Sequence, residues 1–197
     1  MGSMQKWDAR YGAHDYVTPR EPAPFLVERC ADLVPGRALC LAAGSGRNAV
    51  FLASIGFEVT AVDISSVGLG RCEKLAAERQ VQVELVVADL QEYEMGHEEY
   101  DLICIIHYHN PLLFPRVREA VKQGGHVLFQ TFSIDHVGRD WGPRDPVHLA
   151  RGADLLVAFA SWRTRFFEDG EVQHPDQGEG RSAAMVRLFA QKGEIAR

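Results

Sequence analysis

Three groups of residues have the types and spacing that chemistry needs. The first is Ala42-Ala43-Gly44-Ser45-Gly46-Arg47-Asn48, set between an apolar run and a stretch of helical periodicity. Glycines there let a ligand approach the backbone, and a helix starting next to them offers it unpaired N–H groups. The second group is a pair of acids. Asp63 closes the next apolar run, 17 residues beyond Gly46. A carboxylate at such a strand end can accept bonds from both ribose hydroxyls of a nucleotide lying across the strand ends. Asp89, in Ala88-Asp89-Leu90, follows a third run, within reach of an adenine amino group. The plain alternatives are a strand-to-helix turn, a helix-initiating Asp and a turn Asp.

The third group is His107-Tyr108-His109-Asn110-Pro111, after a fourth apolar run. On an extended chain His107 and His109 face the same side. Three readings stand. Either imidazole can orient or deprotonate a nucleophile, since it titrates near neutral pH. Both can be hydrogen-bonded groups lining a pocket. Both can hold a metal, but no third ligand stands at a recognisable spacing, so none is assigned. Residues 133–150 add His136, Arg139, Asp140, Trp141, Arg144 and His148, the composition of a lid over a small anionic or polarisable acceptor, or of a solvated loop. Arg116 and Arg118 are expected on an exposed helix face.

The elements that hold these residues alternate. A short helix is expected over Phe25 to Leu33, stopped by Pro35-Gly36. Strands follow at Ala38–Ala42, Phe57–Val62, Val81–Val87, Tyr100–Ile106 and His126–Phe132, mostly as continuous apolar runs suited to a buried parallel sheet. Helices are expected at Arg47–Ile55, closed by Gly56, from Ser65 as N-cap through about Arg79, at Pro115–Lys122 and at Gly152–Ala160. Gly124-Gly125 is read as the turn into the fifth strand. Trp162–Phe167 and Ala183–Ala190 are the last two strands, around a polar, glycine-rich stretch, Glu168–Arg181. Alternating elements imply an α/β, doubly wound, mostly parallel sheet of seven strands, and the closing pair without a helix implies an antiparallel hairpin.

Composition narrows the class. The chain has 197 residues, 46% hydrophobic and 24% charged, which is globular and long enough for a full core. The longest apolar runs are six residues, against roughly 20 for a membrane helix. No signal peptide is visible, and Met1-Gly2-Ser3 before a second Met is set aside as a tag remnant. The net charge of −6 makes nucleic acid a poor partner. Cys30, Cys40, Cys72 and Cys104 have irregular spacing and no C-x-x-C, which reads as reduced thiols in a cytoplasmic protein. Oligomeric state is not legible.

Leu39-Cys40-Leu41-Ala42-Ala43-Gly44-Ser45-Gly46-Arg47-Asn48, then Thr60-Ala61-Val62-Asp63-Ile64-Ser65, then Ala88-Asp89-Leu90, resembles a class I S-adenosylmethionine-dependent methyltransferase. The nearer resemblance is to the tellurite-resistance-type branch, through Gly44-Ser45-Gly46-Arg47-Asn48-Ala49-Val50, Trp7-Asp8-Ala9-Arg10-Tyr11 and the double glycine before strand five. It covers most of residues 5–132. The resemblance implies S-adenosylmethionine as cofactor and a Rossmann-like sheet with its last strand antiparallel. It further implies that Ala42, Gly44, Gly46 and Asn48 border the cofactor, with the glycines at its methionine part. Asp63 would bind ribose, Ile64 would pack on adenine, and Asp89 with Leu90 would border the adenine edge. Trp7, Arg10 and Tyr11 would belong to an N-terminal segment, residues 4–36, covering the cofactor, ahead of a single methyltransferase domain, residues 37–197. Many members carry an acid where this chain has Cys40, and a glycine at Ala42. A buried thiol stays neutral, so recognition of the cofactor's amino group must come from elsewhere.

The expected activity is methyl transfer to a small-molecule acceptor, a thiol, chalcogen oxyanion or hydroxyl, by in-line displacement. A base is needed only if the acceptor holds a proton at neutral pH, and His107 and His109 are the candidates. Two alternatives remain open: a nicotinamide-dependent oxidoreductase, since Gly44-x-Gly46-x-x-Ala49 fits a loose dinucleotide fingerprint, and a non-catalytic cofactor-binding protein on the same fold.

Overall fold

The structure is a computed structural model and describes residues 3–143, 145–173 and 181–193. Its elements are α1 (Ser3–Gly12), α2 (Pro24–Cys30), β1 (Arg37–Leu41), α3 (Arg47–Ser54), β2 (Glu58–Asp63), α4 (Ser66–Glu78), β3 (Glu84–Val87), β4 (Tyr100–Ile106), α5 (Phe114–Ala120), β5 (Val121–Phe132), α6 (Gly152–Ala158), β6 (Arg163–Gln173) and β7 (Ser182–Gln191). The seven strands form one sheet in the order β3-β2-β1-β4-β5-β7-β6. β7 runs antiparallel to both neighbours, and the other pairings are parallel. The order reverses at β1, between β2 and β4. Such a switch opens a crevice at the carboxyl ends of the strands.

Strand alternation sends side chains to two cores. Leu39, Leu41, Ile103, Ile105, Val127 and Phe129 pack on one face with Phe114 and Val117 of α5 and Leu155 of α6. Ala38, Cys40, Leu102, Cys104 and Leu128 pack on the other with Phe25 and Leu26 of α2 and Ala49 and Leu52 of α3. Each large apolar side chain buried in these layers contributes about 1.5–3 kcal/mol.

Four expectations differ from the structure. β5 begins at Val121, so Lys122 is in the strand rather than the helix; the glycine pair sits inside the strand, where Gly124 adopts φ +80° and the pairing with β4 shifts register. β6 continues through Gln173, so Glu168–Gln173 pairs with Ser182–Arg187 instead of looping. Polar residues fit there because β6 is an edge strand. Residues 133–150 are not one open loop: 3₁₀ turns at Ile134–His136 and Pro146–His148 fold them, and a Ser133–Ala150 bridge ties their ends. Arg116 is not idle: it donates to the carbonyl oxygens of Leu90 and Gln91, each at 3.0 Å, and to that of Tyr93, pinning the segment after Asp89. Met1, Gly2, Arg144 and residues 174–180 of the glycine-rich stretch lie outside the described residues.

Candidate active site

The loop after β1 is built from left-handed turns. Ala42, Gly44 and Gly46 have φ of 52°, 55° and 79°. Gly46 is the N-cap of α3, and a Cβ there would overlap Cys72 Sγ. The Gly44 N–H donates to Asp63 Oδ2 at 2.7 Å, and the Ser65 N–H donates to Asp63 Oδ1 at 2.9 Å. Asp63 is only 7% exposed, and burial pushes its carboxyl up while these backbone donors pull it down. A carboxylate has about four lone-pair sites, so two backbone bonds leave capacity for ligand hydroxyls.

α1 is laid across this cleft by specific bonds. The Ser65 hydroxyl donates to Asp8 Oδ1 at 2.6 Å, and the Val67 N–H reaches the same oxygen at 3.3 Å. Ser65 in turn caps α4 through the Gly68 N–H at 3.0 Å. Tyr11 then lies against Gly44 and Gly68; a Cβ on Gly44 would overlap its hydroxyl. Burial and nearby Asp63 push its phenol up. Trp7 stacks on Tyr11 with centroids 5.9 Å apart, and the Arg10 guanidinium lies over Trp7 at 5.2 Å and Tyr16 at 4.9 Å. The three residues expected to cover the cleft thus form one aromatic–cation stack on it.

Beyond Asp63, Ile64 is half-buried and Leu90 buried. Asp89 Oδ1 accepts the Gln91 N–H at 2.9 Å. The Asn48 side-chain oxygen accepts the Ala23 N–H at 2.9 Å, so that group holds the start of α2.

Cys40 stands beside Cys104 in the parallel register. All four cysteines are buried and free, and Cys30, Cys72 and Cys104 each feel Cys40 as a neighbour. Burial pushes Cys30 and Cys72 up to about 12. Four buried thiols therefore gather around Cys40 under the loop.

His107 and His109 do not share a side. His107 has φ +59°, which breaks the alternation that the extended reading assumed. Its N–H donates to the Gln130 carbonyl at 2.8 Å and its ring meets Phe132 at 5.5 Å. His109 packs instead against Phe114 and Phe129 of the opposite core, at 6.2 and 6.3 Å. Burial holds its pKa down, with Asp154 pulling up and His148 pushing down. Tyr108, between His107 and His109, is half-buried against the core that also takes Ala42; burial pushes its phenol up, a hydrogen bond with Asn110 pulls it down, and Asp89 and Asp63 push it up. Sequence reasoning passed over Tyr108, for which the only signal is its place between the two histidines after β4. In the following segment, His136 is buried with Nε2 at 3.0 Å from the Trp141 carbonyl, and Arg139 pairs with Glu171. These two residues fasten the segment down.

A cavity adjoins the glycine loop at the ends of β4 and β5. Phe25, Arg47, His107, Gln130, Met185 and Arg187 line it, and its volume is about 40 Å³.

The methyltransferase-domain family matches residues 38–125. A protein of Geobacillus sp. (strain WCH70) named as a methyltransferase is 34% identical over 116 residues, 53% of this chain and 47% of that protein. The chain thus spans about half the length of this curated relative. Among solved structures, one studied for the conversion of a disulfide bond into a thioacetal group during echinomycin biosynthesis aligns over 99% of this chain and 94% of its own, with a TM-score of 0.74 and 16% identity. TehB from Haemophilus influenzae aligns over 96% and 67%, with a TM-score of 0.73 and 16% identity. An S-adenosylmethionine-dependent methyltransferase from Mesorhizobium loti aligns over 93% and 100%, with a TM-score of 0.67 and 21% identity. The fold is that of the S-adenosylmethionine-dependent methyltransferases. Residues 38–125, the part that matches the methyltransferase-domain family, carry the glycine loop, Asp63 and Asp89.

The residues present fit that cofactor. Left-handed turns after β1 leave the backbone open, Asp63 ends β2 with lone pairs to spare, and Asp89 follows the adjacent β3, an arrangement that would hold a nucleoside across the strand ends. No described helix is long and apolar enough to cross a membrane.

Proposed function

We propose that this chain transfers the methyl group of S-adenosylmethionine to a small-molecule acceptor. The observation that carries this reading is the bond between Asp63 and the Gly44 N–H, which couples the acid that ends β2 to the left-handed loop after β1. The cofactor supplies an electrophilic methyl on a positive sulfur. The chain's residues bind and align. Asp63 accepts the ribose hydroxyls, Ile64 and Leu90 hold the adenine faces, and Asp89 borders its edge. Gly44 and Gly46 admit the methionine part, Tyr11 covers it, and Trp7 with Arg10 braces Tyr11. With a cysteine rather than a carboxylate at position 40, the amino group is left to loop carbonyls and the Tyr11 hydroxyl. His107 is on the acceptor side, at the cavity; His109, turned to the other core, is not.

A small acceptor fits a cavity of about 40 Å³ better than a nucleic acid does, as does the net charge of −6. An acceptor that binds already ionised needs no strong base, so alignment and exclusion of water carry the catalysis.

Thermal stability measured with S-adenosylmethionine, S-adenosylhomocysteine, NAD and NADP, each alone, tests the reading. A ligand at a hundred times its Kd stabilises by about 2.7 kcal/mol. In a domain of this size that raises Tm by roughly 5–10 °C. The expected result is a shift with the first two, abolished in Asp63→Ala. A shift with a nicotinamide alone would instead make the chain a dinucleotide-binding protein.

A further inference from the structure

We infer that Arg71 is a positioning residue for cofactor binding: through its bond to the Tyr16 carbonyl it sets the height of the aromatic roof above the glycine loop. This rests on the methyl-transfer reading, in which the cofactor's methionine part lies between that loop and Tyr11.

One face of α4 touches both sides of this gap. Arg71 and Cys72 follow Gly68 by three and four residues, so the three stand together on the helix surface. Cys72 lies under the loop: a Cβ on Gly46 would overlap its Sγ and come within 3.0 Å of its Cα. Gly68 gives room where floor and roof meet. A Cβ there would stand 3.0 Å from the Tyr11 ring and 3.3 Å from the Gly44 carbonyl oxygen. Arg71 grips the roof itself, Nη1 donating to the Tyr16 carbonyl at 2.9 Å.

Tyr16 passes this grip on. The Arg10 guanidinium lies over its ring at 4.9 Å, and the same ring meets Tyr11 edge-on at 5.7 Å. Arg10 also lies over Trp7, which stacks on Tyr11. A shift of Tyr16 therefore moves both supports of Tyr11. Arg71 is half-buried and has no carboxylate partner among the described residues, so its bond to Tyr16 is not a by-product of an ion pair. A guanidinium donor makes a stronger bond than a neutral one. The other ties between this segment and α4 lie elsewhere. Asp8 is held at the start of the helix by Ser65, and the exposed pairs Arg20–Glu78 and Glu21–Arg79 sit at its far end, where such pairs add little.

The nucleoside end does not depend on the roof. Asp63 is fixed by the backbone N–H groups of Gly44 and Ser65. A loosened roof should therefore cost the amino-acid part of the cofactor its contacts and spare the nucleoside part.

Calorimetry on the full chain compares S-adenosylhomocysteine with 5′-methylthioadenosine, which keeps the nucleoside and lacks the amino-acid part. Arg71→Met should weaken S-adenosylhomocysteine by about tenfold or more and 5′-methylthioadenosine by less than about twofold. Arg71→Lys, which keeps the charge and a donor, should stay within about threefold of the parent for both. Tyr16→Ala removes the ring that carries Arg10 and should show the same selective loss, which covers loss of fold in Arg71→Met. The two residues act in series, so the double variant should bind no more than about twofold more weakly than the worse single one. The inference is overturned if Arg71→Met binds S-adenosylhomocysteine like the parent, if it weakens both ligands equally, if Arg71→Lys binds no better than Arg71→Met, or if the losses multiply in the double variant; methyl transfer stands in each of these cases. If S-adenosylhomocysteine does not bind the parent protein, methyl transfer falls and the inference falls with it.

Discussion

Asp63 Oδ2 accepts the Gly44 N–H at 2.7 Å, so the acid at the end of β2 also shapes the loop after β1. Asp63→Asn keeps the size and removes the charge. Hydrogen bonds to charged groups contribute about 1.5–3 kcal/mol. S-adenosylhomocysteine should therefore bind roughly 10- to 100-fold more weakly in the variant, by calorimetry. Stability should move the other way. Burial raises the Asp63 pKa, so its contribution is present below the unfolded value of 3.8 and lost as pH rises through the folded value. The parent's stability relative to the Asn variant should fall over that rise, read by urea unfolding at several pH values.

Ala42 has φ 52°, a region that costs a residue with a Cβ about 1–2 kcal/mol. Ala42→Gly should relieve that strain against an unfolded-state entropy cost of roughly 0.5–1 kcal/mol. A net gain of up to about 1 kcal/mol is expected, or roughly 2–4 °C in Tm. A loss of stability would show that the Ala42 methyl's packing outweighs the strain.

His109, His126 and His136 all have pKa values below 6.5, each chiefly through burial. The folded protein keeps them neutral, and the unfolded chain protonates them. Their contribution is full above the unfolded value and is lost as pH falls through the folded values. Stability should drop on acidification below about pH 6.5, by up to about 1.4 kcal/mol per pH unit for each histidine. His126→Gln should remove one proton from the uptake on unfolding, measured by the pH dependence of the urea midpoint.

Asp8 reaches α4 through Ser65 and Val67. Asp8→Ala removes both bonds and should cost about 0.5–2 kcal/mol, the range for a lost helix cap. Limited proteolysis with trypsin should then cut after Arg10 faster than in the parent, while the sheet stays intact. Equal cutting rates would mean that the aromatic stack alone holds α1.

The element order was legible because buried parallel strands read as apolar runs, and the Asp63 and Asp89 positions followed from where those runs end. What failed was local backbone geometry. Nothing in His107-Tyr108-His109 announces a left-handed residue, yet that one torsion separates the two histidines. The end of β6 was missed because an edge strand tolerates polar residues and glycine, which in sequence resemble a loop. The gathering of cysteines around Cys40 depends on the β1–β4 register and on α2 and α4 packing, long-range contacts that spacing does not encode.

Those thiols also make the protein its own reporter. Cys30, Cys40, Cys72 and Cys104 are 1%, 3%, 0% and 2% exposed, and they come from α2, β1, α4 and β4. A thiol reagent can reach them only when the native packing opens. Labelling counted by intact mass therefore times the opening of the sheet centre and of two helices that border it, without an introduced probe. If all four react together, that region opens as one unit. If Cys30 or Cys72 reacts first, its helix leaves before the sheet does.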